Sequence, residues 1–345
     1  MAKLRVAVVG ASGYAGAEAV RWILRHPRLR LGPLVARSEA GRPLSDLYPQ
    51  LPDAPVLQAL APEGVAERAD AVVLAMPPGE ALEWAGPLLS AGRQVYDLGP
   101  DFRLADPEAY RRHYGRAHTA PELLARAAYG LVELFAADVR ERELVALPGC
   151  FPTAACLAVA PLVEAGLADP GAPIVVQAVS GLSGAGRGLR PDLMFGAAHD
   201  EVRAYGVGGT HRHLPEIGQV LTRLGRRPVE VLFTPHTAPL FRGLLATCHV
   251  PLAGAMTTER LLAHYRERYA ASPLVRVTAE PPGTRSTLGS ARCAVTVRAE
   301  PSGRYATAVA AIDNLGKGAA AQAIQALNVK QGWPESTGLE GGLWP

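Results

Sequence analysis

Apolar positions in the first third of the chain come in short runs separated by amphipathic stretches. Residues 4–9 form a short, mostly apolar run ended by Gly10, the pattern of a strand buried on both faces. A helical pattern follows over 14–24 and stops before His26-Pro27. Residues 29–36 read as a second strand. Residues 71–75 read as a third, cut off by Pro77-Pro78-Gly79, and 94–98 as a fourth, with helical spacing over 80–91 between them. Strands alternating with helices predict an α/β domain with a Rossmann-type, doubly wound parallel sheet. The stretch 107–135 is more polar and irregular. A strand over 144–147 then leads into a helix over 153–167, with Pro152 at a first-turn position where a missing N–H costs nothing.

Beyond residue 150 the texture changes. Strand patterns at 174–180, 229–234, 244–250, 292–299 and 305–312 follow one another with few helices between them, apart from an amphipathic stretch at 257–269. That predicts an α+β domain with a partly antiparallel sheet. The alanine-rich segment 317–328 predicts a last helix that returns to the first domain. The expected division is 1–149 with 317–345, and 150–316.

A chain of 345 residues suits two domains. The net charge of +3 points to neither nucleic acid nor a membrane surface as partner. Four cysteines, at 150, 156, 248 and 293, show no C-x-x-C spacing. They predict a reducing compartment, no disulfide framework and no structural metal. The N-terminus enters a strand directly and no long apolar span is visible, so a cytoplasmic location is expected.

Three loops carry chemistry. Gly10-Ala11-Ser12-Gly13-Tyr14-Ala15-Gly16 leaves the first strand and opens the first helix. Its glycines permit a tight turn and close approach of backbone to a dinucleotide pyrophosphate. Arg37-Ser38, after the second strand, stands where NAD sites place an acid; arginine suits a 2′-phosphate, which favours NADP(H), although Glu39 follows. Cys150, in Pro148-Gly149-Cys150-Phe151-Pro152-Thr153, lies at a strand-to-helix corner where free N–H groups and the helix dipole favour a thiolate. Beside a nicotinamide, such a thiolate suggests covalent acyl chemistry coupled to hydride transfer. The alternative is a small buried hydrophobe.

The loop 180–187, from Ser180 through Ser183 and Gly184 to Arg187, can set backbone amides against an anion or cofactor ring, with Arg187 as an anion clamp. His211-Arg212-His213-Leu214-Pro215-Glu216 places two histidines at i and i+2. In a strand or extended turn they point to opposite sides, one toward Cys150 as acid/base. No second ligand cluster supports a metal. Arg103, after the fourth strand, is a candidate for a substrate anion or a surface ion pair; Asn314 is a candidate for a nicotinamide amide or a helix cap.

Taken together, GASGYAG, DLGPDFRL at 97–104, LPGCFPTA at 147–154, SGLSGAGR at 180–187, THRHLPEI at 210–217, FTPHTAPLFRG at 233–243 and AIDNLGKGAAAQAIQALN at 311–328 resemble the N-acetyl-γ-glutamyl-phosphate reductases, the NADPH-dependent reductases of arginine biosynthesis. The resemblance spans almost the whole chain in order. It implies a Rossmann domain plus an α+β catalytic and dimerisation domain of the aspartate-semialdehyde dehydrogenase type. It further implies Cys150 as nucleophile, and a histidine of the HRH segment as acid/base, with His213 preferred and His211 open. Gly10, Ser12, Gly13, Tyr14, Ala15, Gly16, Arg37, Ser38, Pro77, Ser183, Gly184 and Asn314 are then expected around NADP(H), and Arg103, Ser180, Arg187 and Glu216 around an acyl-phosphate or semialdehyde substrate, in a homodimer or homotetramer. Gly99-Pro100 replaces the more usual Ser-Ala, and Pro78 a frequent histidine. A sister group acting on carrier-bound aminoadipyl phosphate departs from Pro-Gly-Cys-x-Pro-Thr, which this chain keeps. Aspartyl phosphate as substrate, a cofactor-free cysteine hydrolase and a non-catalytic NADP-binding protein are the remaining readings.

Overall fold

The computed structural model describes residues 3–341. They form two compact units: residues up to Pro148 together with Ala319–Glu340, and Gly149–Gly318.

The first unit begins β1 (Leu4–Val9), α1 (Tyr14–Arg25), β2 (Leu29–Val35), α2 (Pro62–Ala66), β3 (Ala71–Leu74), α3 (Ala81–Ser90) and β4 (Gln94–Asp97). The stretch expected to be irregular carries four elements: α4 (Pro107–Tyr114), α5 (Pro121–Leu124), β5 (Ala127–Tyr129) and α6 (Val132–Glu141), before β6 (Leu144–Ala146). Asp106 caps α4 by accepting the Glu108 N–H, and Gly115 ends it in the left-handed region, so that helix carries both of its punctuation marks. The six strands are all parallel, in the order β2-β1-β3-β4-β6-β5. The order reverses beside β1, and the crevice beyond the carboxyl ends of β1 and β3 is where open α/β sheets bind ligands.

The second unit begins at α7 (Cys150–Glu164), followed by β7 (Ile174–Gly181), α8 (Phe195–Ala198), β8 (Arg203–Ala204), α9 (Leu214–Gly225), β9 (Val231–Ala238), β10 (Leu244–Pro251), α10 (Thr258–Arg268), β11 (Val275–Val277), β12 (Cys293–Ala299) and β13 (Tyr305–Ile312). The seven strands run β11-β12-β13-β10-β7-β9-β8, antiparallel except for the β7–β9 and β11–β12 pairs. Helices α7, α9 and α10 pack on one face. α7 is buried on every side from Phe151 to Val163, which explains its apolar composition all round. Pro161 inside it cannot donate to the Leu157 carbonyl; the Tyr269 hydroxyl donates there instead, at 2.5 Å. α7 starts at Cys150, three residues before the expected start, because the first-turn N–H groups need no intrahelical acceptor and Pro152 fits that turn. The expected helix at the end of the chain is α11 (Ala321–Lys330), which packs on α1 and α6 and is preceded by a π-type turn over Gly316–Ala320.

Candidate active site

The glycine loop is shaped by exclusion. Gly10 has φ +83°, and a Cβ there would lie 2.2 Å from the Ala75 carbonyl oxygen. A Cβ on Gly16 would lie 2.2 Å from the Gly10 carbonyl oxygen. These two glycines press α1 against the ends of β1 and β3. Gly13, the residue before the helix, has only one such neighbour, at 3.5 Å, and no side chain caps α1. The loop is therefore a backbone cradle at a helix N-terminus, and it fits a dinucleotide pyrophosphate. Around it, the Tyr48 hydroxyl holds the Ser12 carbonyl at 2.9 Å. Arg37 and Ser38 are exposed after β2, with the Arg37 guanidinium 3.7 Å from the Glu80 carboxylate. Pro77 is exposed after β3; Tyr14 and Ala15 are half-buried in the first turn of α1.

The loop carrying Pro77 is held from beneath. Asp101 is fully buried; its carboxylate accepts from the Gly79 N–H at 2.7 Å, the Ala81 N–H at 3.1 Å and the Tyr110 hydroxyl at 2.7 Å. Asp97, at the end of β4, accepts from the Gly99 N–H at 2.8 Å. Burial, then the neighbouring Asp101 charge, pushes the Asp97 carboxyl up to about 7. Arg103 corrects an expectation. It is buried rather than at the surface, and its guanidinium donates to the Leu147 carbonyl at 2.7 Å and the Leu98 carbonyl at 2.8 Å. Buried carbonyls just past two strand ends need donors, and Arg103 supplies them.

In the second unit Cys150 is the first residue of α7, half-buried, after Gly149 in extended conformation. Two distant segments clamp it. The Glu216 carboxylate, fully buried in the first turn of α9, accepts the Gly149 N–H at 2.9 Å. Gly318 comes so close that a Cβ on it would lie 2.8 Å from the Cys150 Cβ. The other cysteines differ in kind: burial drives the Cys156 thiol far above its usual range and Cys248 up to about 12, while Cys293 is buried in β12.

The histidine pair also differs from expectation. His213 is the residue before α9, with helical φ −85° and ψ −13°. In that turn both rings lie on one side: their centroids are 4.9 Å apart, and both meet Phe151, the residue after Cys150, at 5.7 Å for His211 and 5.9 Å for His213. The alternation that separates i and i+2 belongs to strands and does not apply. His211 accepts the His213 backbone N–H on Nδ1 at 3.1 Å, and burial, helped by Arg212, lowers it to about 4. Tyr205, which the sequence reading passed over, packs edge-on to His211 at 5.3 Å.

Ser180, Ser183, Gly184 and Asn314 converge. Asn314 donates to Ser183 Oγ at 2.9 Å and accepts the Gly243 N–H at 2.8 Å, and a Cβ on Gly184 would lie 3.4 Å from Ser180 Oγ. Asn314 caps no helix; its amide joins two loops, and α11 starts only after the intervening π-type turn. Gly184 and Arg187 are exposed on this loop. Among the described residues no helix is long and apolar enough to cross a membrane, and no three His, Cys, Asp or Glu side chains are placed to hold a metal.

A parallel nucleotide-type sheet and a mixed sheet whose first helix opens on a clamped cysteine are the parts of a semialdehyde dehydrogenase. Two family descriptions match in that order: "Semialdehyde dehydrogenase, NAD binding domain" over residues 5–142 and "Semialdehyde dehydrogenase, dimerisation domain" over 150–314. Aspartate semialdehyde dehydrogenase II of Vibrio cholerae has the same fold, at TM-score 0.73 over 95% of this chain and 98% of its own, with 18% identity. The Candida albicans aspartate semialdehyde dehydrogenase with NADP does too, at TM-score 0.71 and 17% identity over 97% of this chain and all of its own. Relatives in sequence narrow the class. The N-acetyl-gamma-glutamyl-phosphate reductase of Symbiobacterium thermophilum is 43% identical over 97% of both chains, and that of Halorhodospira halophila 44% identical over 98% of both. The chain belongs to the N-acetyl-gamma-glutamyl-phosphate reductase family.

Proposed function

We propose that this chain reduces N-acetyl-L-glutamyl 5-phosphate to N-acetyl-L-glutamate 5-semialdehyde and phosphate through a thioester on Cys150, a step of arginine biosynthesis in the cytoplasm. The observation that carries this reading is the clamp on the thiol corner: Glu216 holds the amide before Cys150, and His213 opens the same helix that Glu216 belongs to. Nucleophile and acid/base thus share one support.

The Cys150 thiolate attacks the acyl carbonyl; the carbon–sulfur bond forms and the carbon–oxygen bond to the phosphoryl group breaks. First-turn backbone N–H groups of α7 face the developing oxyanion, where one such donor is often worth about 3 kcal/mol. His213 gives its proton to the departing phosphate. Between the two histidines, His213 suits acid/base work: His211, lowered to about 4, stays neutral at working pH with Nδ1 already accepting a hydrogen bond. Gly10–Gly16, with Arg37 and Ser38 for a 2′-phosphate, would hold NADPH, which would supply the hydride for the thioester carbonyl. Cys150 leaves the resulting tetrahedral centre as thiolate, which frees the aldehyde. Ser180, Ser183 and Gly184 then line the reacting group, with Arg187 for the substrate carboxylate, while Arg103 and Asn314 keep loops in place.

The unit that ends at Pro148, with Ala319–Glu340, is the cofactor domain in this reading, and Gly149–Gly318 the catalytic one. The sheet face away from α7 and α10 exposes Leu232 and Tyr305, each about half accessible (50% and 51%), and gives a homodimer or homotetramer its contact. The test runs the reaction backward: N-acetylglutamate semialdehyde with phosphate and NADP, beside aspartate semialdehyde. The reading predicts NADP reduction with the first aldehyde, little with the second, and none after Cys150→Ser. Equal turnover of both aldehydes, or a fully active Cys150→Ser variant, contradicts it.

A further inference from the structure

Arg212 stands between the half-buried His211 and the buried His213 yet is itself exposed, and among the described residues it has no ion pair or hydrogen bond. Tyr205 borders the same histidine. The Tyr205 N–H donates to the Pro235 carbonyl at 3.1 Å, which fixes the strand end that carries the ring. Gly206, at φ +56°, turns the chain so tightly that a Cβ there would lie 2.9 Å from the His211 Cβ. Tyr205 and Arg212 therefore flank the ring that packs on Phe151, the neighbour of Cys150. Burial, then the nearby Cys150, holds the Tyr205 phenol well above its ordinary range, with Arg212 and Arg190 opposing, so the hydroxyl stays a donor. Arg190 already pairs with Asp192 at 2.6 Å; among the described residues Arg212 has no such partner.

We infer that Arg212, together with the Tyr205 hydroxyl, receives the phosphoryl group of the substrate as Cys150 displaces it. The inference rests on the acyl-phosphate reading above. In that substrate the phosphoryl group is joined through one oxygen to the carbonyl that sulfur attacks, so its oxygens must stand close to the thiol. The carboxylate lies at the far end of the molecule. As the carbon–oxygen bond breaks, its electron pair passes to the phosphate oxygen, which takes the proton of His213. A guanidinium without a carboxylate partner offers this growing charge a planar fork of donors, and the neutral phenol adds another. Arg187, on the Gly/Ser loop, is left for the carboxylate.

The reverse reaction separates the two anions, because phosphate and semialdehyde are distinct substrates there. Arg212→Met is expected to raise the KM for phosphate about 10-fold or more, with the KM values for semialdehyde and NADP within about twofold. Arg212→Lys should recover part of that loss, and Tyr205→Phe should raise the phosphate KM by a smaller factor, about 3-fold. The rate of Cys150 alkylation by iodoacetamide in Arg212→Met reports whether the thiol corner is intact. An unchanged phosphate KM, or a rise confined to the semialdehyde, overturns the inference. If the unaltered enzyme itself fails to reduce NADP with semialdehyde and phosphate, the reading beneath it fails instead, and the two failures are told apart.

Discussion

α1 and α7 start alike and are held differently. Each follows a glycine in extended conformation, with φ and ψ of −78° and 163° at Gly13 and −66° and 159° at Gly149, and neither start has a side-chain cap. The start of α1 is fixed by its own loop, where Gly10 and Gly16 pack against backbone within reach of a few residues and of Ala75. The start of α7 is fixed by Glu216, 67 residues on from Gly149, and by the backbone of Gly318. A site that offers only backbone to a diphosphate can be built locally. A site that must hold one sulfur at one place recruits distant segments, and its chemistry is exposed to changes far along the chain.

The largest predicted effect concerns the acid/base group carried by the α9 start. His213→Asn should lower kcat/KM about 10²- to 10⁴-fold, whereas His211→Asn should cost about 10-fold or less. Steady-state rates of the two variants check this. Equal losses would mean that the two rings act as one unit.

A pair of glycine substitutions separates the two helix starts. Gly318→Ala places a methyl where 2.8 Å separates it from the Cys150 Cβ, so kcat should fall about 10- to 100-fold with the KM for NADPH unchanged. Gly16→Ala meets a backbone oxygen at 2.2 Å and should raise the dissociation constant for NADPH by a similar factor, with Cys150 alkylation as fast as before. Cofactor titration and alkylation rates, read on both variants, should move in opposite columns.

Glu216 tests the long-range clamp. Glu216→Ala leaves the Gly149 N–H buried without its acceptor and is expected to destabilise by about 1–3 kcal/mol and to slow alkylation of Cys150. Glu216→Gln keeps an acceptor oxygen and should restore most of the stability. Denaturant midpoints compare the two.

The last effect lies away from both starts and depends on pH. Asp97, raised to about 7 in the folded chain, holds its proton more tightly folded than unfolded, so stability falls as pH rises from about 4 through 7. Asp97→Asn mimics the protonated form. It should leave stability unchanged near pH 4 and raise it at pH 8, by at most a few (about 3) kcal/mol. Melting temperatures at the two pH values decide the sign.

The same contrast explains what the sequence made legible. The runs over β1 and β13 match their strands residue for residue, because each is a mostly apolar stretch of strand length that ends in buried residues. The glycine loop was legible for the same reason that it folds locally. α6 was missed: Phe135, at φ −135° and ψ 32°, interrupts the helical period. α9 was missed because it buries only Glu216, Ile217, Val220 and Leu221 and opens on a polar segment read for its chemistry. The histidines were set on opposite sides for want of one backbone angle at His213, and the partners of Arg103 and Asn314, namely Leu98, Leu147, Ser183 and Gly243, are ones that no local spacing reveals. Tyr205 carried a weak local signal at most, an aromatic followed by glycine shortly before the histidine cluster.

The most direct measurement of the central claim is mass spectrometry of the protein mixed with N-acetylglutamyl phosphate in the absence of NADPH. An N-acetylglutamyl group carried on the peptide that contains Cys150, and discharged as semialdehyde when NADPH is added, is the predicted result. Turnover with no acyl group on Cys150, or with the group on another residue, would contradict the account.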